Sequence, residues 1–257
     1  MKLHLISDLH LEWYKNVKSL WRKIEKLIPK VEENDVLVLA GDIGCPTNDM
    51  NEIDPNYVEL LKKFKAKYQN IVLVSGNHEY YGSKIPDGSG IEKVDKILKS
   101  ICESVGVHCL NQSEIVINDI RFIGCTLWSD IQPSDYFSMN DSKSVFNDIS
   151  EIRKLFGEQK AWLTSQLTGR NNEKTVVVTH HLPSFKIIHP VYAFYSSSGF
   201  ASYLDNLIIT TCPKYWFSGH SHESNTVQIG ETICAISPMG YPDEHKETKI
   251  QIKTFEI

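Results

Sequence analysis

The side chains of Asp8, His10, Asp42, Asn77, His180, His220 and His222 are of types that could together hold a pair of divalent cations. They arrive in five short clusters: Asp8-Leu9-His10, Gly41-Asp42, Gly76-Asn77-His78-Glu79, His180-His181 and Gly219-His220-Ser221-His222. Carboxylate, imidazole and amide-oxygen donors suit Mn, Fe or Zn better than a soft thiolate site would. A carboxylate has two oxygens, so one aspartate can bridge two cations roughly 3.5–4 Å apart. Such a pair polarises phosphoryl oxygens and generates a hydroxide nucleophile near neutral pH.

Each cluster taken singly is a weak signal, since D-x-H, G-D and a lone histidine occur by chance in many chains. G-N-H-E and G-H-S-H are more specific. The weight comes from position, because every cluster follows a β-like run. Leu3–Ser7, Val36–Ala40 and Ile71–Ser75 read as buried strands, each leading into a candidate ligand. Thr175–Thr179 and Tyr215–Ser218 do the same for the later histidines. In open α/β sheets the carboxyl ends of the strands line the ligand crevice, so five loops distant in sequence can converge on one edge. The glycines at 41, 76 and 219 let the backbone turn sharply or approach closely just before a ligand.

Helical periodicity fills the gaps between the first strands. Val17, Leu20, Trp21, Ile24, Leu27 and Ile28 recur at helical spacing, and Pro55 is placed to open a helix carrying Val58, Leu60, Leu61 and Phe64. Ile91–Ser104 reads as a third helix. This β-α-β-α-β-α series argues for parallel strands with helical crossovers. Glu114–Gly124 contains two β-like runs around Asn118-Asp119, a tight hairpin. Trp128 to about Asp148 lacks periodicity and reads as an irregular insertion, followed by a helix through Trp162 and Leu167. Thr226–Ile229, Thr232–Ile236 and Lys249–Phe255 complete the strands. No linker, repeat or low-complexity segment divides residues 1–257, which read as a single two-sheet domain.

With these clusters in order, the chain resembles the calcineurin-like metallophosphoesterases, whose pattern is D-x-H, G-D, G-N-H-[D/E], a later H and G-H-x-H. The resemblance implies an α/β fold, a four-layer α-β-β-α sandwich of two mixed β-sheets flanked by helices. It implies one metal held by Asp8, His10, Asp42 and His222, and a second held by Asp42, Asn77, His180 and His220, with Asp42 bridging. His78 would hold no metal; it would stabilise the transition state or protonate the leaving oxygen as general acid, while a metal-bound hydroxide attacks in line. Within the family the chain is most similar to small bacterial stand-alone phosphoesterases, which have comparable TLW, MND and H-P-x-Y segments. Those usually carry N-P-R-G-Y near the C-terminus, where this chain has Ser237-Pro238-Met239-Gly240-Tyr241.

Other residues have weaker claims. Adjacent residues of an extended segment point to opposite sides, so His181 is expected in a supporting or core position beside the ligand His180. Glu79 is expected to hydrogen-bond backbone or to orient a ligand. His4, His108 and His245 have no partner pattern and read as structural or solvated. Tyr80, Tyr81, Asn140-Asp141, His189 and the aromatic run Tyr192, Phe194, Tyr195 and Phe200 are read either as packing or as a pocket wall, with Asn77, His78, Tyr81 and His189 as the substrate-contact candidates.

Composition bounds the rest. The chain has 257 residues, 41% hydrophobic and 23% charged, with net charge −5, an ordinary globular balance. That charge offers no footprint for long nucleic acid or an anionic membrane. Only four arginines occur (Arg22, Arg121, Arg153 and Arg170), so bound metals rather than guanidinium forks would meet a phosphate's charge. Six scattered cysteines without CxxC spacing, and no export signal, point to free thiols in the cytoplasm. The expected substrate is a small phosphomonoester or phosphodiester. The competing class is a metal-binding scaffold that holds a protein partner. Loss of His78 or of a ligand would mark such a scaffold, and this chain keeps them all. A metal-free structural protein would have to cluster Asp8, Asp42 and the imidazoles unpaired, at high cost.

Overall fold

The computed structural model describes residues 1–191, 198–244 and 250–257. The first sheet contains β1 (Lys2–Ile6), β2 (Val36–Ala40), β3 (Asn70–Val74) and β4 (His108–Cys109). The second contains β5 (Ser113–Ile117), β6 (Ile120–Cys125), β7 (Thr175–Thr179), β8 (Tyr215–Ser218), β9 (Asn225–Ile229) and β10 (Thr232–Ile236), and the last strand, β11 (Lys253–Glu256), returns to the first. Strand order is β11-β1-β2-β3-β4 in one sheet and β5-β6-β7-β8-β10-β9 in the other. Within the first sheet β1 to β4 are parallel and only β11 is antiparallel. In the second, β6, β7, β8 and β10 run parallel while the edge strands β5 and β9 are antiparallel.

The strand sequences explain this layering. VLVLA, NIVLV and TVVVT are nearly continuous apolar runs, as parallel strands covered on both faces require. Leu3, Leu5, Val36, Val38, Val72 and Val74 of one sheet pack against Phe122, Val176, Val178, Phe217 and Ala235 of the other. The alternate residues Ile6, Leu37, Leu39, Ile71 and Leu73 face outward under α1 (Val17–Ile24), α2 (Pro55–Lys65) and α3 (Gly90–Val105). Two very short helices, α4 (Pro133–Tyr136) and α5 (Asp141–Ser144), lie in the irregular insertion. They are followed by α6 (Ile149–Leu167) and α7 (Asp205–Thr211), which cover the outer face of the second sheet. This is the expected α-β-β-α sandwich. The edge strands β5 and β9 alternate half-exposed and exposed positions, the pattern of a sheet margin.

Local chemistry sets the boundaries. Asn16, Asp54 and Asp148 cap α1, α2 and α6 by accepting backbone N–H bonds, and Pro55 sits at the first position of α2. Asn118 and Asp119 both take positive φ, which gives the β5–β6 hairpin its tight turn. Some expected boundaries shift. The first helix stops at Ile24, and Leu27 and Ile28 pack from the segment beyond it. The two-residue β4 carries no readable pattern. The last strand begins at Lys253 rather than Lys249, which lies outside the described residues. The insertion is irregular as expected, but it is packed: Trp128, Ile131, Tyr136, Val145 and Phe146 are all buried. Among the described residues, no helix is long and apolar enough to cross a membrane.

Candidate metal centre

The five clusters converge at the carboxyl ends of β1, β2, β3, β7 and β8. Backbone hydrogen bonds tie the loops to one another. Asp8 N–H donates to Gly41 C=O at 3.0 Å, His10 N–H to Asp42 C=O at 3.0 Å, and Gly219 N–H to His180 C=O at 3.0 Å. The two sheets are stitched together at the same place, where Ser7 N–H donates to Ser237 C=O and Met239 and Gly240 N–H donate back to Ser7 and Asp8. Asp8, His10, Asp42 and His220 all have left-handed backbone, with φ of 55°, 48°, 53° and 68°. That conformation turns the chain abruptly out of each strand, and Asp and His tolerate it better than most residues.

Two groups of donor atoms result. In the first, His10 Nε2 faces His222 Nε2 at 3.0 Å, and His222 Nε2 lies 3.7 Å from Asp8 Oδ1. In the second, Asn77 Oδ1 lies 3.1 Å from both His180 Nε2 and His220 Nδ1. Asp42 stands between the groups, its Oδ2 3.3 Å from His180 Nε2 and 3.9 Å from His10 Nε2. Its other oxygen accepts the His78 backbone N–H at 2.8 Å. Asp8–His10–His222, Asp42–His180–His220 and, between them, His10–Asp42–His78 each gather within metal-binding reach.

The donor set fits divalent cations. His180 Nδ1–H donates to the Ala40 carbonyl at 2.9 Å, which leaves Nε2 facing two oxygens, Asn77 Oδ1 and Asp42 Oδ2. Asn77 Nδ2 donates to Asp141 Oδ1 at 2.9 Å and to the Tyr81 hydroxyl at 3.1 Å, which commits its oxygen to the cluster. Donor atoms therefore converge at one point, where a cation would take the place of the His180 Nε2 proton. Burial lowers the pKa of His180, but Asp42, Asp8 and the Ala40 carbonyl outweigh it and raise the pKa to about 9. Asp42, although fully buried, is held well below the usual carboxylate range by His180, His78 and His10. His220 Nε2 is buried without a hydrogen-bond partner among the described residues, and burial and the neighbouring histidines keep that ring neutral.

A cavity of about 280 Å³ opens over the cluster, lined by Asp42, Asn77, His78, Tyr81, Phe200 and Tyr241 among others. His78 stands at its edge, with Nδ1 2.7 Å from Glu12 Oε1 and Nε2 3.1 Å from the Tyr241 hydroxyl. Burial alone would lower its pKa, yet Asp42 and Glu12 raise it to about 9. Tyr81 stacks on the His78 ring at 4.0 Å. Tyr80 instead points into the core and donates to Asp95. Phe200 packs 4.9 Å from the His220 ring. His189 accepts the Val191 N–H at 3.3 Å, and at this point the cavity wall is Ile188. Tyr192, Phe194, Tyr195 and His245 lie outside the described residues.

Supporting residues surround the cluster. Glu79 is buried and accepts the backbone N–H groups of Gly76, Asp42 and Ile43, the backbone role expected of it. His181 packs between the Trp128 and His220 rings. His4 is buried, with Nδ1 2.8 Å from the Tyr68 hydroxyl. Sequence reasoning missed Glu12, Tyr241 and Glu244, and left Asp141 undecided. Glu244 Oε2 lies 2.5 Å from His222 Nδ1 and raises that imidazole's pKa against its burial. Asp141 is pushed up to about 6 by burial, while the Asn77 amide pulls the other way. The only sequence signal for Glu12 was its place two residues after His10.

A model of the calcineurin-like phosphoesterase family matches residues 1–224, and the chain belongs to that family. A relative from Acanthamoeba polyphaga mimivirus, uncharacterized protein L509, is 30% identical over 274 residues, covering 94% of this chain and 92% of that protein. The phosphopantetheinyl hydrolase of Mycobacterium tuberculosis has a similar fold: the TM-score is 0.77 at 17% identity, over 99% of this chain and 95% of that one.

Proposed function

We propose that this chain is a dinuclear-metal phosphoesterase acting on phosphomonoesters or small phosphodiesters. The observation that carries the reading is Asp42 Oδ2, which faces His180 on one side and His10 on the other. Asp8, His10, Asp42 and His222 would hold one cation; Asp42, Asn77, His180 and His220 would hold the other. When bound, such a pair neutralises phosphoryl charge and acidifies water. The chain's own contribution is a proton. His78 keeps its Nε2 toward the cavity, beside the Tyr241 hydroxyl, with its Nδ1 bonded to Glu12. It donates to the departing oxygen, a step worth roughly 10²–10⁴-fold when a leaving group needs protonation. Asn77 and Tyr81, hydrogen-bonded to each other on the cavity wall, orient the ester.

The test couples metal analysis to turnover. Purified protein is assayed for bound Mn, Fe and Zn, then for hydrolysis of 4-nitrophenyl phosphate, bis-4-nitrophenyl phosphate and a panel of nucleotides, sugar phosphates and a phosphopantetheine diester, with Mn²⁺ supplied. Two equivalents of metal and turnover of at least one ester are expected. Two tightly held metals with no turnover on any of them would overturn the reading in favour of a binding scaffold.

A further inference from the structure

We infer that Glu12 is a positioning residue that sets, with one carboxylate, both the metal-site histidine His10 and the proton donor His78. The inference rests on the reading of His78 as general acid. Glu12 Oε1 lies 3.1 Å from His10 Nδ1 and 2.7 Å from His78 Nδ1, and the two rings meet edge to face with centroids 4.4 Å apart. An ionised carboxylate can only accept, so both Nδ1 atoms carry the hydrogen. Both rings therefore present Nε2 to the site: His10 toward His222 and Asp42, and His78 toward the cavity.

The backbone makes this arrangement specific. His10, with left-handed φ, opens a single 3₁₀ turn over Leu11–Trp13, which brings residue 12 back over residue 10. Leu11 N–H donates to Ile43 C=O and pins that turn to the loop carrying Asp42. Gly44 leaves room for it: a Cβ there would fall 2.8 Å from Leu11 Cβ and 3.3 Å from Glu12 Oε2. The Glu12 side chain is only 23% exposed, although the residue as a whole lies at the surface. The oxygen it uses binds the Nδ1 sides of the rings, away from their Nε2 atoms, so it is not itself a member of the donor cluster.

The experiment compares wild type, Glu12→Gln, His78→Ala and the double variant on two esters of the class the enzyme turns over, one leaving as 4-nitrophenolate and one as an alkoxide. Nitrophenolate departs without a proton; an alkoxide needs one. His78→Ala should lose at least roughly 10-fold more on the alkyl ester. Equal loss on both esters would sink the acid reading itself. Given that selectivity, Glu12→Gln should show the same bias, and the double variant should be no more selective than His78→Ala. Equal losses in Glu12→Gln, or added selectivity in the double variant, would overturn the role through His78. Equilibrium dialysis against Mn²⁺ reads the His10 arm without turnover: affinity should fall roughly 10–100-fold in Glu12→Gln, and unchanged affinity would overturn that arm.

Discussion

The Glu79 carboxylate accepts the backbone N–H of Asp42 at 3.0 Å, so the residue after the proposed acid holds the main chain of the aspartate shared by both donor groups. It also accepts from Ile43 at 2.8 Å and Gly76 at 2.6 Å. One side chain thus staples the loops that follow β2 and β3. Replacing Glu79 with Ala leaves three buried N–H groups unpaired, each costing about 1–3 kcal/mol. Urea denaturation should show a loss on the order of 3 kcal/mol or more; a change under about 1 kcal/mol would contradict the staple.

Asp42→Asn tests the shared position. The amide oxygen can still accept the His78 N–H, and Asn tolerates left-handed backbone, so the fold should survive by circular dichroism. Bound metal should drop below two equivalents, and turnover should fall further than the roughly 10–100-fold that loss of an outer hydrogen-bond partner costs. Full metal content would contradict the bridging assignment.

Glu244→Gln probes such an outer partner. Its carboxylate takes the Nδ1 side of His222 and thereby sets which nitrogen turns to the cluster. Mn²⁺ affinity measured in chelator-buffered solution is expected to weaken roughly 10–100-fold, with the far-ultraviolet spectrum unchanged. Wild-type affinity would place Glu244 outside the site's support.

His181 makes acid stability testable. Burial first, and then the charge on His180, lower its pKa to about 3, and neither ring nitrogen has a hydrogen-bond partner among the described residues. The unfolded chain binds a proton there near pH 6.5 while the folded chain does not, so stability falls as pH drops from about 6.5 toward 3. In metal-stripped protein, His181→Phe should flatten that acid limb between pH 7 and 5 in denaturant titrations. Parallel slopes for variant and wild type would contradict the assignment.

The ligand clusters were legible because each lies at the end of a buried apolar strand, where period and punctuation agree. The sandwich was legible for the same reason: VLVLA and TVVVT can only sit covered on both faces. Glu12, Tyr241 and Glu244 were not, because their role depends on loops meeting in space. Tyr241 reaches His78 only because the run after β10 is hydrogen-bonded to Ser7 and Asp8, which no local pattern encodes. The helices α4 and α5, four residues each, are too short to carry a period. Tyr80 and Tyr81 are adjacent and equally aromatic, yet one is core and the other lines the cavity, a difference set by which side of a single 3₁₀ turn each occupies.

The left-handed backbone at Asp8, His10, Asp42 and His220 bears on how mutational scans of this chain are read. Alanine has no polar side chain to compensate that conformation, which costs an ordinary residue about 1–2 kcal/mol. An alanine scan would therefore mix two losses at these four positions, the donor atom and the turn, whereas Asn77 and His180 have no left-handed backbone and alanine there removes only side-chain bonds. Asparagine at 8 and 42, and glycine or asparagine at 10 and 220, keep the turn accessible. Paired with alanine, they separate backbone from ligand position by position.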